Sequence, residues 1–137
     1  MAPRKKGWRL RLNAVITGAA SQPFAWGAHD CGCFAASCVE AITGDDTAAA
    51  LRGTYSDAKG AAKALIRNGA KDLAEFAAQR FAELPHPSAA QVGDLALLPG
   101  DATGLALGVF VGELIVVMTP QGRGFVPRNR AVRAFTV

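Results

Sequence analysis

Apolar residues recur at helical spacing through the N-terminal part of the chain and bunch into short runs after Pro85. Over residues 6–20, Trp8, Leu12, Val15 and Ile16 fall on one face and predict an amphipathic helix. Ser21-Gln22-Pro23 breaks it, and Phe24 to Asp30 reads as a loop. A second helix is predicted from Cys31 to Thr43, with Phe34, Cys38, Ala41 and Ile42 inward and Gly44 as its stop. Asp45-Asp46-Thr47 predicts the cap of a short helix through Leu51. Gly53 to Tyr55 reads as a turn, and Ser56 as the N-cap of a helix through Arg67 that Asn68-Gly69 ends. Lys71 to Leu84 predicts a last helix, with Leu73, Phe76, Ala77 and Phe81 along one side.

Pro85-His86-Pro87 changes the texture. Beyond it, Leu95–Leu98, Leu105–Val111, Leu114–Met118, Gly124–Val126 and Ala131–Val137 are apolar stretches separated by glycine and proline, the signature of strands. Helices followed by strands imply an α+β fold, with N-terminal helices backing a small antiparallel sheet. The 137 residues are expected to form a single domain, 1–137, with one core and no disulfide staples.

Half of the residues are hydrophobic and only 19% are charged, which excludes a disordered chain. No long apolar run predicts a membrane span, and the opening Met1-Ala2-Pro3-Arg4 lacks the apolar core of a secretion signal, so a soluble protein made in the cytoplasm is expected. The net charge of +4 is unevenly spread: residues 1–12 and 123–137 carry nine of the 15 cations and none of the 11 acids. Two basic ends around an acidic body suggest either a solvated surface or, if the ends meet, a basic patch facing an acidic protein or nucleic acid. No helix-turn-helix, zinc finger or aromatic RNA-binding motif accompanies them.

Candidate chemistry gathers at Cys31. It stands where a helix should begin, after His29 and Asp30 and between Gly27 and Gly32, and a helix start favours the thiolate. Cys33 and Cys38 read as core residues. A metal site made from His29, Cys31, Cys33 and Cys38 fails on geometry: along one helix Cys31 and Cys38 stand about 10 Å apart, with Cys33 roughly opposite. No metal and no cofactor is expected. A nucleophile also needs a base, and only His29 and His86 are available. His29 is two residues from the thiol, a weak candidate base, and His86 lies in the proline-flanked bend.

These residues carry a resemblance. Trp26-Gly27-x-x-Asp30-Cys31-x-x-Phe34, then Gly93-Asp94-Leu95, then Leu107-Gly108-Val109-Phe110-Val111-Gly112, resemble the NlpC/p60 branch of papain-like cysteine peptidases. That family cleaves amide bonds in peptidoglycan stem peptides, with a helix-borne cysteine packed on an antiparallel sheet bearing a histidine. More narrowly, the chain is similar to phage and prophage proteins encoded among tail genes. The shared features include Pro23-Phe24-x-Trp26-Gly27, Thr43-Gly44-Asp45, Gly53-x-Tyr55 and Gly124-x-Val126-Pro127.

The resemblance implies Cys31 as nucleophile position, and a histidine at the position held here by Ala106, which has no titratable group. A third polar residue belongs on the next strand, yet Leu114–Met118 is wholly apolar. The implied function is therefore a tail-tip or hub-associated structural or assembly protein of a phage, prophage or gene transfer agent, located in the virion tail. It would dock on hub or distal tail proteins, its basic ends facing acidic partners or the DNA path. The alternative is an active amidase or peptidase acting on peptidoglycan during DNA entry, with a base from His29, His86 or a neighbouring subunit.

Overall fold

The computed structural model describes residues 3–100 and 104–137, leaving Met1 and Ala2 of the opening segment outside the described residues. Helices come first: α1 (Trp8–Ala19), α2 (Cys31–Thr43), α3 (Ala58–Arg67) and α4 (Leu73–Arg80). The strands β1 (Ala82–Glu83), β2 (Leu95–Pro99), β3 (Leu105–Phe110), β4 (Leu114–Thr119), β5 (Gly122–Pro127) and β6 (Arg133–Thr136) follow. They form one antiparallel sheet in the order β1-β6-β2-β3-β4-β5. The α+β expectation is met in this form.

The sheet is buried on both faces. Leu95, Leu97, Leu107, Val109, Val116, Met118 and Phe135 join Leu12, Phe34, Cys38 and Ile42 in a core between the sheet and helices α1 and α2. Their alternate neighbours Ala96, Leu98, Phe110, Ile115, Val117 and Ala134 form a second cluster on the other face. Two covered faces explain why β2 and β4 read as continuous apolar runs rather than alternating ones. Register pairs Leu95 with Val109 and Leu97 with Leu107 across β2–β3, and Leu95 with Phe135 across β2–β6. Gly108 permits the close approach of β3 to β4: a Cβ there would lie 2.6 Å from Ile115 Cγ2.

The four helices follow their predicted spans with three corrections at the ends, and a fifth predicted helix does not form. α1 starts at Trp8 because Gly7 takes a left-handed conformation, φ 78°. No helix forms over residues 45–51. Asp46 instead receives the Ala48 N–H and is gripped by Arg52, closing a turn between Gly44 and Gly53. The N-cap of α3 is Asp57 rather than Ser56, its carboxylate accepting from the Gly60 N–H. Helix α4 ends at Arg80 rather than Leu84: Phe81 is extended, and Ala82 and Glu83 pair with Thr136 and Phe135 of β6. Glu83 is further held by a two-pronged contact with Arg133.

The chain ends do meet, through one buried carboxylate. Asp94, only 3% exposed, takes the Arg4 guanidinium at 3.0 Å, the Val137 N–H at 3.0 Å and the Gln91 N–H at 2.8 Å. Arg4 also donates to the carbonyls of Val137 and Val92. Most terminal arginines are thus spent on backbone rather than displayed as a basic patch. Arg11 binds the Ala41 carbonyl, Arg123 that of Ile16, and Arg128 those of Gly112 and Ala90 while lying over the Phe110 ring. Lys5, Lys6, Arg9 and Arg130 remain exposed.

Replacing Asp94 by alanine strands the buried Val137 N–H, the part-buried Gln91 N–H and a guanidinium together, so Asp94→Ala should lower the unfolding free energy by about 3 kcal/mol. Urea denaturation reads this directly; a loss within the noise of a surface substitution would refute the clamp.

Candidate functional site

The site begins with the loop ahead of α2. The Ala25 carbonyl accepts the Ala28 and His29 N–H groups, and Ala25 and His29 form an isolated bridge that folds the loop back on itself. Gly27 adopts φ 79°, and a Cβ there would lie 2.2 Å from the Tyr55 carbonyl oxygen, so only glycine lets the 53–55 turn press against the loop. Gly53 donates its N–H to the Gly27 carbonyl at 2.8 Å, closing this contact.

Asp30 ties these pieces together. It is 2% exposed and serves as the N-cap of α2. One carboxylate oxygen accepts the Cys33 N–H at 2.8 Å; the other accepts the Gly27 N–H at 2.9 Å and the Tyr55 hydroxyl at 2.5 Å. The Tyr55 oxygen also lies 3.7 Å from the Cys33 sulfur. Burial and the charge of Asp30 hold the Tyr55 hydroxyl protonated well above its ordinary range.

Cys31 opens α2 at the foot of β3. Its side chain packs with Ala106 against the second-face cluster of Leu98 and Phe110, near the backbone N–H of Leu107. The residue is half-buried, but its thiol is turned inward, and burial pushes the thiol up to about 11. The N–H groups of Leu107 and Gly32 pull the other way, and the charge of Asp30 adds to the rise. Burial of the thiol thus stands against the expectation of a stabilised thiolate. One helix-start donor, the Cys33 N–H, is taken by the Asp30 carboxylate, and desolvation outweighs the donors that remain to the thiol. Burial likewise raises Cys33 to about 11 and Cys38 to about 12.

Neither histidine lies on the cavity beside this thiol. His29 Nδ1 faces the Pro23 carbonyl at 3.3 Å, and its ring meets Phe34 edge-on. His86 is exposed and bonds Ser88 in a one-turn 3-10 helix spanning Pro87–Ala89. No cluster among the described residues could hold a metal ion.

The cavity itself has a volume of about 410 Å³. It lies between the N-terminal turns of α2, α3 and α4 and the start of β3, with Cys31 and Cys33 on its wall. The sequence reading missed three parts of this arrangement: Tyr55, the Asp94 clamp and the cavity. The signals were Gly53-x-Tyr55 and Gly93-Asp94, noticed as shared features but given no role.

Residues 3–137 match the family described as Domain of unknown function (DUF6950). The chain belongs to that family. No curated protein matches it. The matched span reaches from the Arg4 arm to Val137, so the clamp on Asp94 lies within the family's domain.

With its thiol at about 11, Cys31 holds about one part in ten thousand as thiolate at pH 7. Alkylation of Cys31 by iodoacetamide, followed by mass spectrometry, should therefore keep accelerating from pH 7 to pH 10. A plateau by pH 8 would contradict the buried, neutral thiol.

Proposed function

We propose that this protein is a structural or assembly component of a phage-type tail tip or hub, built on a papain-like fold of the NlpC/p60 kind that has lost its catalytic apparatus. One observation carries the reading. The cysteine-bearing start of α2 packs beside β3, yet the strand offers Ala106 there and the thiol is pushed up to about 11. A general base must reach the proton that it removes. Neither His29 nor His86 lines this cavity; His29 Nδ1 faces the Pro23 carbonyl and His86 Nδ1 faces Ser88.

The outer surface supports a docking role. Leu10, 79% exposed, stands on α1 among Lys6, Arg9 and Arg11, and Leu114 and Phe125 are exposed toward the far edge of the sheet. An exposed apolar residue on a helix that also carries exposed cations suits an acidic protein surface, such as that of a hub or distal tail protein. No helix among the described residues is long and apolar enough to cross a membrane.

The alternative, an amidase acting on peptidoglycan stem peptides, draws on the cavity that adjoins Cys31. It requires a base from a neighbouring subunit or from a rearrangement of the His29 loop.

In purified tailed particles of the encoding phage or prophage, peptide mass spectrometry and labelled antibody should place the protein at the tail tip. Recovery only from the particle-free lysate sinks the tail reading, and fragments released from peptidoglycan by the wild type but not by Cys31→Ser establish the amidase instead. A second experiment addresses the lost base. Ala106→His should bring the Cys31 thiol down toward neutral pH and raise its alkylation rate at pH 7 by more than about tenfold. An unchanged rate would mean that position 106 does not face the thiol.

A further inference from the structure

The cavity beside α2 has features that catalysis does not require. Its wall is aliphatic and aromatic, made chiefly by Leu51, Leu65, Leu73, Phe76, Leu105 and Leu107. A volume of about 410 Å³ falls in the range of small-molecule sites.

Charge at the cavity is unevenly committed. Asp30 already accepts three donors. Asp72, also on the wall, accepts the Glu75 N–H at 2.8 Å as the α4 cap, and nearby Asp57 accepts the Gly60 N–H at 2.6 Å as the α3 cap. Glu75 turns back to the Lys71 N–H. Each of these carboxylates is thereby tied to backbone donors at a helix start. Lys59 and Lys71 are exposed, line the same cavity, and enter no ion pair among the described residues. Those carboxylates keep their charge, but the ammonium donors of Lys59 and Lys71 are the charged groups at the cavity that enter no ion pair or hydrogen bond among the described residues.

We propose that the cavity binds an amphiphilic monoanion, an aliphatic chain ending in a carboxylate, with its chain against the leucines and Phe76 and its carboxylate held at the mouth by Lys59 and Lys71. A neutral apolar ligand would leave both ammonium groups unused, whereas a carboxylate accepts from them directly. An aliphatic tail gains from every methylene that it buries on such a wall. The inference does not depend on the tail role, because binding is read on the isolated protein.

The test titrates the full-length protein with decanoate, decanol and decyltrimethylammonium below their micellar concentrations. Trp26, on the cavity wall, reports by fluorescence, and calorimetry counts the sites. Decanoate should bind saturably at one site per chain and slow the alkylation of Cys31, with decanol weaker and the cation weaker still. The double variant Lys59→Glu, Lys71→Glu should lose decanoate affinity about tenfold and reverse the order of the two charged ligands. Ala61→Phe, which fills the wall from α3, should abolish binding while its melting curve verifies the fold. No saturable binding, or unchanged affinity in the charge-reversed variant, overturns the proposal. Equal binding of decanol and decanoate also overturns it, and marks the cavity as an anchor for a partner protein's apolar side chain.

Discussion

The buried carboxylate of Asp30 holds the site together. In one position it starts α2, fixes the loop at Gly27 and takes the Tyr55 hydroxyl from 25 residues further along the chain, so two local segments and one distant turn share a single acceptor. Burying a carboxylate is costly unless it is well supplied with hydrogen bonds, and three donors supply it here. The same group sets the chemistry beside it. Its charge opposes ionisation of both Cys31 and Cys33, and it takes the Cys33 N–H at the helix start. Capping this helix with an aspartate gives a rigid corner and a neutral thiol together.

That neutral thiol ties the site to the packing of the fold. Cys31 lies where the helix start meets the β2–β3 hairpin, and it joins the cluster on the far face of the sheet rather than standing clear in solvent. A nucleophile needs an ionised sulfur with a base in reach; a packing residue needs a sulfur that stays protonated in a dry setting. Ala106 satisfies the second requirement, since it fills space against the same cluster without introducing a charge. As pH rises above the ordinary cysteine range the unfolded chain ionises while the folded one, with its thiols at about 11 to 12, resists. Stability therefore falls with pH between those limits.

The arginines belong to the same economy of backbone groups. Arg4, Arg11, Arg123 and Arg128 each donate to main-chain carbonyls, linking the N-terminal arm, the helices and the sheet. A guanidinium carries five donors in a fixed plane, which suits carbonyls at the ends of elements where the ladder has stopped. The basic termini are in large part structural cement. The cations left exposed on α1 and at the mouth of the cavity are fewer, and their positions are accordingly more informative.

Local pattern determined a good deal of this protein. The 3.6-residue spacing of Trp8, Leu12, Val15 and Ile16 and the run from Phe34 to Ile42 specified α1 and α2, because a helix must turn one stripe to the core. Apolar runs bounded by glycine and proline specified the strands, and Asp30 before Cys31 marked a helix start. Short-range signals were less decisive at the ends of elements. Asp57 competed with Ser56 for one cap, and the helix pattern beyond Arg80 yielded to a partner strand from the other end of the chain. What the tertiary structure alone decided was environment. The ionisation of Cys31, the burial of Asp94 and the union of three helix starts around one cavity depend on desolvation and on distant donors. Those quantities arise only when segments remote in sequence are packed together, so no spacing along the chain encodes them by itself.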